Sequence, residues 1–258
     1  MEIVVRVATE ALLALVAFGI AFKTLRGEPV LAQIFEIREI DMTMATGTQA
    51  IERLPVNEEF ALVSDPGAVD RAAAGLKAHG FDARIVPDGD AARELLLSLI
   101  PDGAEVGEGA SATLDQIGVT EIIEQSGRFH AIRPRTRAMD RATQMHEIRK
   151  LSAAPGVQIN SVQAVTEDGR MVLASMSGSQ IGPIVSGAGR VVLVVGAQKI
   201  VPDLATAFRR VEEYSYPIAD VNAQQAYGRR SAINKMLVFN GDFPGRTTVI
   251  VVREALGV

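Results

Sequence analysis

Short apolar runs alternate with amphipathic segments from Phe60 onward, and this alternation constrains the fold more than any other feature of the sequence. One later run, 191–195, is apolar at every position, as expected for a strand buried on both faces of a sheet. A strand–helix repeat of this kind predicts an α/β fold in which a mostly parallel sheet is flanked by helices. The first elements predicted in this way are strands at 60–63, 83–86 and 104–107, with helices at 65–79 and 87–99 between them.

The same reasoning predicts the later elements. Apolar residues recur at successive threes over 139–151, which indicates a helix with one buried stripe. Asp203 is expected to cap the N-terminus of a helix that turns Leu204 and Ala207 inward, and 247–252 is expected to be a last strand. Because these C-terminal strands need the first half of the chain as partners, we expect one compact domain.

Composition excludes several classes of function. Hydrophobic residues make up 48% of the 258 residues and charged residues 22%, so the chain can bury a full core. Lys plus Arg number 26 against 31 Asp plus Glu, a net charge of −5, which argues against a nucleic-acid partner. Cysteine is absent, so this chain holds no disulfide, thiolate nucleophile or iron–sulfur cluster, and a cytoplasmic location is expected. The three histidines lack metal-ligand spacing, so no metal site is predicted.

The N-terminal segment differs from the rest of the chain. Its apolar run 11–22 has twelve residues, fewer than the roughly 20 that span a bilayer, so no integral membrane span is predicted. The run could be a packed or membrane-associating helix, a short anchor, or part of an extension outside the functional domain. We favour the last, because 41–57 reads as a polar tether. The expected organisation is an extension at 1–41, a linker at 42–59 and an α/β domain at 60–258.

A glycine-rich stretch at 106–114 follows a predicted strand and precedes a predicted helix. Gly107 and Gly109 would let backbone amides approach an anion, and Ser111 and Thr113 would add hydroxyls at a helix N-terminus. The alternative is a strand-to-helix turn in which Ser111 is only an N-cap, and spacing alone favours that alternative.

Three more stretches carry candidate groups, each with a plainer alternative. The carboxylate of Glu167 could act as nucleophile or general base, although Asp168-Gly169 between apolar runs is a strong hairpin signal. An anion-binding nest could form, in place of an ordinary loop, from Ser177, Gly178, Ser179 and Gln180. The stretch 227–235 could supply an amide and a positive charge from Asn234 and Lys235, or be a solvated loop.

Three stretches in this order together resemble the LUD domain, the lactate utilization protein family that includes the lactate utilization protein C type. They are GEGASATLDQIG at 107–118, TEDG at 166–169 and VVGAQKIVPDL at 194–204. The resemblance runs from about Phe60 to Val258. It implies a fold like that of ribose-5-phosphate isomerase, glucosamine-6-phosphate deaminase and the CoA transferases. The chain departs from many relatives at 163–164, where Gln-Ala replaces Asn-Ala, and at 178–180, where Gly-Ser-Gln replaces Gly-Asn-Arg.

The resemblance also implies a site. Glu167 lies in a context similar to the catalytic glutamate of CoA transferases. A small anionic ligand is expected to contact Gly107, Gly109, Ser111, Thr113, Ser177, Gly178, Ser179, Gln180, Lys199, Asn234 and Lys235.

Two functions follow from the resemblance. The first is an enzyme of organic-acid (lactate) utilization with isomerase or acyl-transferase chemistry on a carboxylate, sugar phosphate or CoA ester. The second is a non-catalytic subunit or scaffold that works with iron–sulfur partner proteins. Longer relatives carry a cysteine cluster, whereas this chain has no cysteine, so electron transfer would need a partner. The cofactor and the substrate stay open, and a homo-oligomer is compatible with either function.

Overall fold

The computed structural model describes residues 51–63 and 65–258. The predicted extension 1–41 and the first part of the predicted linker lie outside the described residues. The strands are β1 Asp82–Val86, β2 Glu105–Glu108, β3 His130–Ala131, β4 Val157–Asn160, β5 Ala164–Thr166, β6 Met171–Ser175, β7 Arg190–Gly196, β8 Ile200–Val201, β9 Lys235–Phe239 and β10 Thr247–Val252. The helices are α1 Ala68–Ala78, α2 Gly89–Ser98, α3 Ala112–Gln116, α4 Val119–Gln125, α5 Ile132–Arg137, α6 Met145–Ala153, α7 Leu204–Arg210 and α8 Tyr216–Tyr227.

Six strands form the main sheet in the order β1-β10-β7-β4-β2-β3, and every pair in it is parallel. The apolar run 191–195 lies in β7 between β10 and β4, and it is buried throughout. The predicted α/β class with a mostly parallel, helix-flanked sheet is therefore confirmed.

A second sheet has the order β8-β5-β6-β9. Its β5 and β6 form the antiparallel hairpin that Asp168-Gly169 indicated, with Gly169 at φ +91° in the turn. The sequence did not predict this sheet, because β5 has three residues and β8 only two. Runs that short carry almost no periodic signal.

The core forms two layers, one on each face of the main sheet. Alternate residues of β7 and β10, such as Leu193 and Val249, face α1 and the second sheet. Their neighbours, such as Val192 and Ile250, face α2, α3 and α4. A smaller cluster packs α7 on the outer face of the second sheet.

Two local predictions are wrong. Residues 58–61 form a 3₁₀ turn and not a strand, and none of the strands in the described part of the chain pairs with this segment. The helix expected over 139–151 begins only at Met145. Asp140 accepts hydrogen bonds from the Ala142 amide and the Thr143 hydroxyl, and such local bonds favour a turn over a helix.

The strand order changes direction between β2 and β4, which are parallel neighbours in the main sheet. From β2 the chain continues to β3 at one edge, whereas from β4 it continues through the second sheet to β7 on the other side. In open α/β sheets the crevice at the carboxyl ends of two such strands is where ligands bind. Of the helices in the described part of the chain, none is both long and apolar enough to cross a bilayer.

Candidate functional site

A cavity of about 350 Å³ opens at this reversal point, beyond the carboxyl ends of β2, β4 and β7. Its polar wall comes from the three segments that follow those strands, and it consists of Ser111, Thr113, Asn160, Ser161, Gln163 and Lys199, with Gln180 beside them. Asp115 is the acidic side chain among the described lining residues; it is exposed, and it accepts a hydrogen bond from Thr120 at 2.6 Å. The volume falls in the range of small-molecule sites.

The opposite wall comes from α8 and is largely apolar. Helical spacing places Ile218, Ala219, Ala223 and Ala226 on the side that faces the cavity. Helix α7 runs into α8 through a π-helical turn, Val211–Ser215, and Ser215 of this turn lines the cavity. The cavity therefore offers hydrogen-bonding groups on one side and mainly short alkyl groups on the other, where α8 also contributes the side chains of Asn222 and Tyr227.

Lys199 lies at the centre of the polar wall and is 2% exposed. Its Nζ donates hydrogen bonds to the Thr113 hydroxyl at 2.9 Å and to the Ser161 hydroxyl at 3.1 Å. Burial, and after it the nearby charge of Arg210, lower the pKa of Lys199 well below its ordinary value. A buried amine with hydroxyl partners is unusual, because buried cations are normally paired with carboxylates.

Arg210 lies directly behind the cavity and is fully buried. Its guanidinium donates to the Gln163 carbonyl and, at 3.1 Å, to the Ser215 hydroxyl, both of which belong to cavity-lining residues. Burial lowers the pKa of Arg210 to about 10, so it stays charged at neutral pH. Across residues 51–63 and 65–258, neither Arg210 nor Lys199 forms an ion pair with a carboxylate.

Asn160, at the end of β4, leaves a free acceptor in the cavity wall. Its Nδ2 donates to the Ser161 carbonyl at 2.9 Å, which orients the amide. Its Oδ1 is buried and receives no hydrogen bond from the described residues. Such an acceptor is costly when it stays unpaired.

The structure brings four of the predicted ligand-binding residues together around the cavity: Ser111, Thr113, Gln180 and Lys199. Ser111 is also the N-cap of α3, since its hydroxyl accepts from the Leu114 amide at 3.3 Å. Gly107 lies inside β2, packed against Gln158 and Pro155. Gly109 does not line the cavity but supports it, because a Cβ there would lie 2.6 Å from Asn160 Oδ1 and 3.2 Å from Gln180 Cβ.

The other predicted binding residues form a separate cluster beside the cavity. Ser177 and Ser179 are exposed and bond to each other at 3.1 Å, and Gly178 lies against the aliphatic part of Lys235. Asn234 and Lys235 each donate to the Met176 carbonyl at 3.3 Å. Gln180 connects this cluster to the cavity through the Ser175 hydroxyl, at 3.1 Å.

Glu167 does not line the cavity. Gln163, just before β5, lies in the cavity wall, whereas Glu167 follows the other end of β5, four residues farther along the chain. Its carboxylate binds the Arg71 guanidinium at 2.6 and 2.9 Å, and that bond keeps the pKa of Glu167 below its ordinary value. The TEDG motif thus joins the second sheet to α1.

The sequence-based prediction of the site did not include several of the lining residues. Asn160 is the last residue of β4 and Ser161 directly follows it, and this position at the carboxyl end of a parallel strand was the signal that could have identified them. The sequence of α8 carries no comparable signal, because its residue pattern does not indicate which strand ends the helix covers. Within the described part of the chain, no three His, Asp or Glu side chains group as a metal ion would require.

Comparisons with known proteins identify the family of this chain. A search of curated proteins found no match. Among solved structures, the crystal structure of a DUF162 family protein from Deinococcus radiodurans is similar, with 12% identity and a TM-score of 0.45 over 73% of this chain and 98% of that chain. The family model of the LUD domain matches residues 69–252, well over half of the sequence. The chain therefore belongs to the LUD domain family.

Proposed function

We propose that this LUD domain protein binds a small organic anion in the cavity beyond β2, β4 and β7. The observation that carries the proposal is the pair of buried basic side chains, Lys199 in the wall and Arg210 behind it, without a carboxylate partner among the described residues. A buried positive charge is stabilised by a nearby anion, and a ligand can supply one.

The shape of the cavity narrows the ligand class. Its polar wall suits a carboxylate or phosphate, and the alanine-rich face of α8 suits a short carbon chain. A volume of about 350 Å³ is large enough for a small organic acid. These features support a role in organic-acid utilization, the role that the resemblance to lactate utilization proteins implies. A formed cavity supports ligand binding more directly than a scaffold for an iron–sulfur partner.

A thermal-shift screen of 2-hydroxy acids, 2-oxo acids and sugar phosphates tests the proposal. Ligand that binds only the folded state at about 100 times Kd should raise the melting temperature by roughly 5–10 °C. Calorimetric titration should then give one site per chain. If no small anion shifts the melting temperature of the full chain, the proposal is wrong.

Replacing Gly109 by alanine should weaken small-anion binding at least about tenfold. That change corresponds to a loss of about 1.4 kcal/mol in the free energy of binding. The new Cβ would push against Asn160 Oδ1 and Gln180, both in the cavity wall. Gly182→Ala is the matched control, because a Cβ at Gly182 meets nothing within 4 Å and its φ is −53°. Equal affinity of the two variants, measured by calorimetry, would contradict the assignment of the cavity.

A further inference from the structure

Lys199 is held rigidly in the cavity wall. It ends a short 3₁₀ turn, Ala197–Lys199, that follows the buried strand β7. Gln198 fixes this turn, because its side-chain amide donates to the Leu256 carbonyl at 2.9 Å and accepts from the Leu256 amide at 3.1 Å. The Ala197 amide donates to the Glu254 carbonyl at 2.8 Å. A reactive group needs this kind of fixed position.

The surroundings of Nζ match a neutral amine. A neutral amine has two N–H groups and one lone pair, and the described residues offer it two acceptors, the hydroxyls of Thr113 and Ser161. An ammonium would bring a third N–H and a charge into a buried site next to Arg210. Because both N–H groups donate hydrogen bonds, the lone pair of Nζ remains available to react, and Lys199 lines the cavity.

We propose that Lys199 is a nucleophilic amine that forms an imine with the carbonyl carbon of a small oxo acid bound in the cavity. This inference rests on the proposed function, since the same cavity must first bind the anion. The acid group would lie in the field of Arg210, which keeps its positive charge behind the wall formed by Gln163 and Ser215. The short carbon chain would lie along α8.

The chemistry balances without an oxidant or reductant. Nζ forms a bond to the carbonyl carbon and loses one proton, while the carbonyl oxygen gains one, which gives a carbinolamine. The second proton of the nitrogen then passes to the hydroxyl group, the C–O bond breaks as the C=N bond forms, and water leaves. The hydroxyls of Thr113 and Ser161 touch Nζ and can relay these protons.

Borohydride trapping with pyruvate and 2-oxobutyrate tests the inference on the full chain. Hydride reduces an imine to a stable secondary amine, which intact-mass measurement counts and peptide mapping locates. At pH 7 we expect one adduct per chain, on Lys199, with at least about tenfold more label there than on an exposed lysine, because Lys199 lies in the wall of the cavity that binds the oxo acid. Lys77, Lys150 and Lys235 are exposed and serve as internal controls in the same sample.

Two results would overturn the inference, and they separate it from the proposed function. Binding of the oxo acids by thermal shift, without an adduct or with label only on exposed lysines, would remove the imine and leave anion binding in place. Absence of both binding and adduct, together with no shift from any other small anion, would remove both. Mapping the wild-type chain keeps the test independent of whether a Lys199 variant folds.

Discussion

Lys199→Met should abolish small-anion binding in the cavity while it leaves the protein as stable as the wild type or more stable. Methionine keeps the length and most of the volume of lysine but removes the buried amine. Because the pKa of Lys199 is lowered in the folded protein, folding near neutral pH costs the free energy of releasing its proton, and the variant removes that cost. Two hydrogen bonds, to Thr113 and Ser161, are lost and offset part of that gain by about 1 kcal/mol each.

The difference in the free energy of unfolding between the wild type and Lys199→Met should depend on pH in a defined direction. The pKa of Lys199 is lower in the folded protein than its unfolded value of about 10.4, so between those two values the unfolded chain binds more protons. The free energy of unfolding contributed by Lys199 therefore rises with pH across that window. Any stability advantage of Lys199→Met should be largest near neutral pH and shrink toward pH 10.

Urea unfolding of the wild type and the variant at several pH values between 7 and 10 measures this difference. Lys150→Met is the matched control, because Lys150 is exposed and paired with Glu147 at the surface. That control should change the free energy of unfolding by about 0.5 kcal/mol or less at every pH. A gap between wild type and Lys199→Met that stays constant with pH would contradict the assignment of a lowered pKa.

The fold was predictable where burial leaves a strong pattern. The uninterrupted run 191–195 indicated a central parallel strand because both faces of β7 are covered. The N-cap at Asp203 was equally clear, and its carboxylate accepts from the Thr206 amide at 2.8 Å. The second sheet was not predictable, because β5 and β8 are short and the sheet gains stability from partners distant in sequence.

The site was predictable only where one segment carries several signals. Ser111, Thr113 and Lys199 lie in stretches with glycines or a strand end beside them, and the fold brings these stretches together. Arg210 gave no such signal, because an arginine on a helix is usually solvated. Its burial follows from the π-helical turn after α7 and the carbonyls packed around it, which are features of tertiary structure.

Gly75→Ala should destabilise the domain by about 3 kcal/mol, against the usual direction for this substitution in a helix. Alanine normally stabilises a helix interior by about 1 kcal/mol relative to glycine. At Gly75 in α1, however, the new Cβ would lie inside the contact distance of the Asp168 backbone and 2.7 Å from the Gly169 amide. The backbone of the β5–β6 turn cannot move aside as a flexible side chain can, so the overlap outweighs the gain in helix propensity.

Glu167→Gln in the same turn should change the free energy of unfolding by about 1 kcal/mol or less, because it alters only a half-exposed ion pair with Arg71. It should also leave anion binding unchanged, since Glu167 lies outside the cavity. Chemical unfolding and calorimetry on the two variants, with Gly182→Ala as the glycine control, separate the two roles of the TEDG motif. A large destabilisation by Gly75→Ala with a silent Glu167→Gln means that the motif docks the second sheet on α1. A Glu167→Gln variant that folds normally but loses binding or turnover would instead favour the carboxylate as a catalytic group.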